Sequence, residues 1–369
     1  MTSDVPSTMR SLVAPKRCLP SEYQVIDMPV PKITKPTDVL LRMKAASIQN
    51  GDTMLAERGG LLNLVKHEYP MKLGIQGSGI VAAVGPEVKS FKVGDPVFGF
   101  NLDKPMFREP PPGLISQYAI VPESLLMKKP DNLSFEESAS IIGTTVTAYQ
   151  SLRLALEMRG EESFKGKTVY VPGALSGTGS MGIQVARNVF GAERIISTVS
   201  TPKMPLVEEY LPCMVDQLID YTKQRVTDVV PRGSVDFAYN TQFPTLDECI
   251  ALSNPRTGTI VSIASAPHKE TLREIIGADL FPAWLGWLLD VVQLYYRFKL
   301  RGTDIRYSFL SGSPQKREDM EKVGEFIAAG KVKAVIKVVD LEDIDAVRSM
   351  CDQVYGRKGG LGNPVIRIP

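Results

Sequence analysis

At 369 residues the chain is too long for one compact hydrophobic core and suits about two domains. Its 43% apolar and 23% charged residues exclude large-scale disorder. A net charge of only +2 gives no field that would gather nucleic acid or a strongly acidic partner.

Four cysteines (Cys18, Cys213, Cys249 and Cys351) are scattered and form no Cys-x-x-Cys pair. Such usage is expected of inert thiols in a reducing compartment. The N-terminal stretch around Asp4 and Pro6 lacks the apolar core of a signal peptide, and Pro364–Pro369 matches no lipidation or peroxisomal signal. A cytoplasmic location is the resulting expectation.

In chain order, the first 130 residues read as short strands broken by Gly and Pro. Val39–Met43, Gly79–Gly85 and Phe91–Gly99 are the clearest, the last with a Gly94-Asp95 turn inside it. They predict a β-rich, barrel-like domain. Near Ser134 the pattern changes. Ser134 with Glu137 three residues later is a capping box, the signature of a helix start. Strands and helices then alternate: Thr168–Pro172, helix Gly179–Gly191, Arg194–Val199, helix Met204–Leu211, Gln217–Asp220, Val235–Tyr239 and Thr259–Ile263. This alternation predicts a parallel sheet covered on both faces. A helix over Lys316–Gly330 and short strands close the chain.

The chemistry begins at Gly173-Ala174-Leu175-Ser176-Gly177-Thr178-Gly179, where a strand runs through a glycine turn into a helix. Gly177 and Gly179 permit a tight turn and close approach to a pyrophosphate, and Gly182 permits close helix–strand packing. The free amides and positive dipole end of the helix then face the phosphates. Arg194–Val199 follows at the distance a βαβ unit needs, so the string has the context of a dinucleotide site. At the end of that second strand an NAD site places Asp or Glu for the ribose 2′-hydroxyl. Here the sequence reads Ser200-Thr201-Pro202-Lys203 instead. Hydroxyls and a lysine suit the 2′-phosphate of NADPH. No Ser-His-Asp or paired-carboxylate constellation suggests other chemistry.

Residues 280–298 hold both tryptophans. Gly286, Asp290, Gln293 and Arg297 fall on one helical stripe within an otherwise apolar helix, a pattern unsuited to spanning a membrane. Such a helix could line a substrate cleft, form a dimer interface or lie on a membrane with Arg297, Lys299 and Arg301 near the headgroups.

Several motifs in fixed order resemble the medium-chain dehydrogenase/reductase superfamily, in its zinc-free quinone oxidoreductase-like branch. They are Ala45–Asp52, Gly74–Val81, Phe91–Gly99, Gln117–Pro122, Lys129–Phe135 and Thr147–Tyr149. The chain is similar to fungal members, often encoded beside secondary-metabolite pathways. The resemblance implies an α/β fold: a Rossmann-type doubly wound parallel sheet plus a GroES-like β-rich catalytic domain. It places the GroES-like domain at 1–140, completed by 310–369, and the Rossmann NADPH-binding domain at 141–309. Hydride transfer from NADPH to an activated C=C bond of an enone or quinone is the implied activity. Thr147 is expected beside the nicotinamide. Gly173, Ala174, Ser176, Gly177, Thr178 and Gly179 are expected at the pyrophosphate, and Ser200, Lys203 and Tyr221 at the 2′-phosphate and adenosine. Asn240, Ile263 and Ser265 are expected at strand ends over the cofactor, Phe309 on a late loop near the nicotinamide, and Asn363 near the phosphate.

Zinc-dependent relatives carry a cysteine near Ser47–Gln49 and a Gly-His-Glu near Gly74. This chain has neither, lacks a cysteine-rich lobe between Gly99 and Gly113, and has only His67 and His268. No metal is therefore expected. Gln49 replaces an Asn common in relatives and Met54 a Tyr. Gln49 is read as cleft wall, Asp52 as a structural hydrogen-bonding residue. Two further readings stay open: a trans-acting enoyl reductase partner of a polyketide synthase, and a membrane-associated cofactor-binding protein with little reductase activity. The substrate would be an enone, quinone or enoyl thioester, and a homodimer or a peripheral membrane contact through 280–298 is the assembly to consider.

Overall fold

The computed structural model describes residues 5–58, 68–102, 113–356 and 360–369. His67 and segment 103–112 lie outside the described residues.

The Gly- and Pro-punctuated first part forms β1 (Thr8–Ala14), β2 (Gln24–Pro29), β3 (Asp38–Ser47), helix α1 (Asn50–Arg58), β4 (Met71–Lys72), β5 (Gln76–Val84), β6 (Pro96–Phe100), β7 (Tyr118–Pro122) and β8 (Leu126–Lys128). β1 pairs antiparallel with β2 and β4. β3 pairs antiparallel with β5 and β7, and β6 lies between β5 and β8. The expected strand over Phe91–Gly99 begins only at Pro96. Upstream, Gly94 takes a left-handed φ of 94°, and Lys92 and Asp95 close a turn through backbone and carboxylate hydrogen bonds. Inward residues such as Leu12, Leu41, Met43, Val81, Val97 and Leu114 form one hydrophobic core.

Helix α2 (Phe135–Arg159) starts at the expected cap: Ser134 Oγ accepts from the Glu137 amide at 3.1 Å, and Glu137 accepts from the Ser134 amide at 2.8 Å. It stops at Gly160, in the left-handed conformation that ends helices cheaply. Residue 141, the expected domain boundary, lies inside this helix, and α2 packs against both β3–β5 and the strand Thr259–Ser262 of the second sheet.

That second sheet alternates with helices: β9 (Thr168–Val171), α3 (Gly177–Asn188), β10 (Arg194–Val199), α4 (Met204–Tyr210), β11 (Gln217–Asp220), α5 (Val226–Val229), β12 (Phe237–Asn240), α6 (Leu246–Leu252), β13 (Thr259–Ser262), α7 (Lys269–Ile276), α8 (Ala283–Lys299) and β14 (Arg306–Phe309). All its pairings are parallel, in the order β11-β10-β9-β12-β13-β14. This is the doubly wound dinucleotide-binding order, whose direction reverses between β9 and β12. Alternate residues of one strand enter different cores. Val169 and Val171 pack under α2 and α3, whereas Tyr170 faces the layer with Ile196, Ile219 and Leu246. Both faces are thus buried, which is why these strands read as continuous apolar runs.

The chain ends with α9 (Arg317–Ala328), β15 (Ile336–Asp340), α10 (Ile344–Tyr355) and β16 (Asn363–Arg367). β15 pairs with β16, and β16 pairs with β3, so the last residues complete the GroES-like sheet begun by the first. No described helix is long and apolar enough to cross a membrane.

Helix α8 turns its polar stripe inward. Gln293 donates to the carbonyls of Ala266 and Pro267 at 3.0 and 3.2 Å, Asp290 pairs with Lys269 at 2.7 Å, and Gly286 is buried against Phe281. Arg297 departs from the stripe and is exposed. The apolar side, from Trp284 to Phe298, faces outward.

Candidate cofactor site

The glycine turn occupies the C-terminal end of β9, beside the point where strand order reverses. Gly173 takes φ 76°, and its amide donates to Thr198 Oγ1 at 3.0 Å. The Ala174 amide donates to the Thr198 carbonyl at 2.8 Å. These bonds pin the turn to β10. Ser176 caps α3 by accepting from the Gly179 amide at 3.0 Å, so the helix begins at Gly177, two residues earlier than the sequence pattern indicates. Gly177 and Thr178 stand in the first turn, where helix amides lack intrahelical acceptors.

A Cβ on Gly179 would lie 2.1 Å from the Gly173 carbonyl oxygen, and one on Gly182 would lie 2.6 Å from the Tyr239 ring. The turn therefore requires glycine at both positions. It offers a helix N-terminus with no carboxylate in its first turn. That donor set fits the pyrophosphate of a nicotinamide dinucleotide.

At the end of β10, Ser200 and Lys203 lie on one turn, the Lys203 amide donating to the Ser200 carbonyl at 2.9 Å. Lys203 Nζ donates to the Gly360 carbonyl at 2.9 Å, and partial burial pulls its ammonium below the usual lysine value. Tyr221 begins just past β11, its amide on the Val199 carbonyl and its ring exposed. A carboxylate that the sequence reading missed also arrives here. Asp220, at the end of β11, accepts from the hydroxyls of Thr201 and Thr222, which hold it below the ordinary carboxylate value. Chain distance along β10 gave no hint of it, because the neighbouring strand delivers it.

Asn363 reaches the turn from β16. It is buried, and its Oδ1 fills the space where a Cβ on Gly177 would stand, 2.1 Å from that position. Its amide nitrogen is committed to the Ser140 carbonyl at 3.2 Å and to Thr144 Oγ1 at 3.4 Å. Asn240 is likewise enclosed. It donates to Ser262 Oγ at 2.9 Å and accepts from Thr245 Oγ1 at 2.6 Å, clamping the ends of β12 and β13. The Ile263 amide donates to the Asn240 carbonyl at 3.1 Å, and Phe309 is the register partner of Ser262. Ser265 turns to Tyr307, hydroxyl to hydroxyl at 2.7 Å. Thus the strand-end residues assemble, but Asn240 and Ser265 spend their side chains on the scaffold.

Two residues absent from the sequence reading cover the turn. Thr241 donates to the Pro172 carbonyl at 2.6 Å, and Gln242 donates to Ser176 Oγ at 3.3 Å. A Cβ on Gly173 would sit 2.9 Å from Gln242 Nε2.

Thr147 projects from α2, donates to the Gly143 carbonyl at 2.8 Å and abuts Gly312, leaving no room for a Cβ there. Gln49 keeps its hydrogen bonds within its own loop, its side chain donating to Ser47 Oγ at 2.9 Å. Asp52 anchors that loop by accepting from the amides of Gln49 and Gly74 at 2.8 and 3.0 Å. Burial pushes the Asp52 carboxyl up to about 6 against those bonds. Gln49 and Thr147 are linked through buried Gln76. Its strand position pairs with Ser47, and its Oε1 accepts from the Gly143 amide at 3.1 Å.

Among the described residues, no group of three His, Cys, Asp or Glu side chains is placed to hold a metal. Around Gly74 the donors are Asp52 and Gln76, both committed to backbone amides, a set that does not fit a zinc centre.

Comparison with known proteins agrees with this fold. Residues 35–131 match the alcohol dehydrogenase GroES-like domain and residues 214–350 the zinc-binding dehydrogenase domain. The chain is 35% identical over 206 residues to 2-methylene-furan-3-one reductase from Solanum lycopersicum. Over 208 residues it is 33% identical to NADPH-dependent alkenal/one oxidoreductase, chloroplastic, from Arabidopsis thaliana. Each match covers 56% of this chain, and the chain spans about half the length of these relatives, 50% and 51%. The solved quinone oxidoreductase of Coxiella burnetii has the same fold, with a TM-score of 0.75 at 19% identity, covering 98% of this chain and 100% of that one.

Proposed function

The chain belongs to the medium-chain dehydrogenase/reductase superfamily, and on that premise we propose that it is a member of the quinone oxidoreductase-like branch, a zinc-independent, NADPH-dependent reductase of activated C=C bonds in enones or quinones. The observation that carries the reading is the pairing of the glycine turn with the end of β10. Helix amides there suit a pyrophosphate, and Ser200 and Lys203 suit a 2′-phosphate. When bound, NADPH supplies the hydride.

The protein supplies binding and orientation. Gly173, Ala174, Ser176, Gly177, Thr178 and Gly179 would hold the pyrophosphate. Ser200, Lys203 and Tyr221 would hold the phosphorylated adenosine end. The backbones at Asn240, Ile263, Ser265 and Phe309 would support the ring end, with Asn363 setting the shape of the turn. Thr147, fixed by its bond to Gly143, would pack beside the nicotinamide, and Gln49 would orient the substrate carbonyl. Residues 1–140 with 310–369 form the catalytic unit in this reading, and 141–309 the NADPH-binding unit. The enone and alkenal in the names of the two plant relatives support the substrate class.

The test is NADPH consumption by the purified chain with small enones, alkenals and quinones, with product identified by mass spectrometry. Saturated ketone or hydroquinone formed in step with NADPH loss is expected. Tight NADPH binding without turnover across such a panel would overturn the reductase assignment.

A further inference from the structure

Helix α8 exposes seven large apolar side chains on one side: Trp284, Trp287, Leu288, Val291, Leu294, Tyr295 and Phe298. Their spacing is regular. Trp284, Val291 and Phe298 recur every seventh residue, as do Trp287 with Leu294 and Leu288 with Tyr295. A seven-residue repeat on an exposed helix is the seam that receives another helix. The seam is also symmetric about Val291. Each position on one side has a counterpart equally far on the other: Leu288 with Leu294, Trp287 with Tyr295, Trp284 with Phe298.

We propose that this face is a self-association surface on which α8 packs antiparallel against α8 of a second copy of the chain, with the two-fold axis at Val291. A two-fold interface must be its own complement, residue i meeting j as j meets i. Here the small residue meets itself on the axis, leucine meets leucine, and aromatic meets aromatic toward both ends. The area agrees. With Trp287 71% and Phe298 69% exposed, the seven side chains present on the order of 800 Å² per copy, about the share one partner gives to a standard interface. A monomer rarely leaves so large an apolar patch uncovered. Asp290, Gln293 and Gly286 hold the opposite side of α8 to its own subunit, so the seam needs no rearrangement to be presented. The proposal does not depend on the reductase reading.

Sedimentation velocity on the full chain tests it, with Val291→Glu and Val291→Lys prepared separately. The wild type is expected at twice the 40.5 kDa chain mass. Each variant alone is expected at the single-chain mass, because like charges meet on the axis. An equimolar mixture of the two variants is expected to return to the doubled mass. Circular dichroism spectra matching the wild type would show that both variants fold. A monomeric wild type overturns the proposal. So does a dimer that survives both substitutions, which would point to another surface such as the outer strand β14. Flotation of the wild type as a monomer with phosphatidylserine-containing vesicles overturns it in favour of a membrane.

Discussion

The side-chain amides of Gln76 and Asn363 donate to one acceptor, the carbonyl oxygen of Ser140, each at 3.2 Å. One comes from β5 and the other from β16, so α2 is tied at a single point to strands from both ends of the chain. Asn363 also abuts Gly177 at the glycine turn. The contact that closes the GroES-like sheet on α2 thereby shapes the proposed pyrophosphate site.

Asn363→Leu should expose this coupling. The substitution keeps the volume, removes one donor from Ser140 and places an apolar branch against Gly177. A stability loss of about 1–3 kcal/mol is expected from the disrupted buried hydrogen bonds. NADPH affinity should fall in the same variant, because the turn must shift to accept the branch. Denaturant titration and cofactor fluorescence check the two effects. Normal affinity in a destabilised protein would separate Asn363 from the cofactor site.

Lys203→Glu addresses cofactor choice. A lysine on a 2′-phosphate makes a charge-assisted contact worth about 1.5–3 kcal/mol, so NADPH should bind roughly ten- to a hundredfold more weakly. NADH lacks that phosphate and should change little. The ratio of the two dissociation constants is the readout. A proportional loss for both would mean that Lys203 acts through its bond to Gly360, shaping the site without meeting the phosphate.

Much of the architecture was legible because it follows local rules. The Ser134 capping box, the strand Arg194–Val199 and the strand Gln217–Asp220 stand where periodicity and caps put them. The illegible parts are those in which one segment completes another. Nothing near Asp220 in the sequence says that it bonds Thr201, and nothing near Gln242 says that it covers Ser176, because parallel pairing brings those strand ends together across long stretches of chain. Asn240 and Ser265 read as ligand-facing polar residues at strand ends, yet their partners Thr245 and Tyr307 draw them into the scaffold. The helix over 283–299 shows the same limit. Its polar stripe was visible, but the carbonyls of Ala266 and Pro267 that make the stripe face inward belong to another loop.

Asp52 should impart a pH dependence to stability. Its carboxyl titrates near 6 in the folded state against 3.8 when unfolded, chiefly because burial disfavours the charge. Between those values the folded state holds the proton more tightly, so stability falls as pH rises through the interval. The contribution is complete below the unfolded value and lost above about 6. Its full size is on the order of 3 kcal/mol. Denaturant midpoints of wild type and Asp52→Asn should therefore change relative to each other between about pH 4 and 6, the wild type losing stability that the variant keeps. Parallel pH profiles would remove Asp52 as the source.

Gly179→Ala should abolish the glycine turn's geometry. The added methyl carbon would stand 2.1 Å from the Gly173 carbonyl oxygen and 2.7 Å from Ser176 Oγ. The first obstacle is backbone, so no rotamer change relieves it. Either α3 moves away from β9 or the Ser176 cap opens, and both displace the amides of Gly177 and Thr178. A loss of about 1–3 kcal/mol is expected from the forced shift, together with loss of measurable NADPH binding. Gly191→Ala is the matched control. Unlike Gly179, Gly191 has a left-handed φ of 70°, but a Cβ there meets nothing within 4 Å. That substitution should cost roughly 1 kcal/mol of backbone strain and leave NADPH affinity unchanged. Equal effects of the two alanines on affinity would mean that stability alone governs binding, and the helix N-terminus at Gly177 would lose its assigned place under the pyrophosphate.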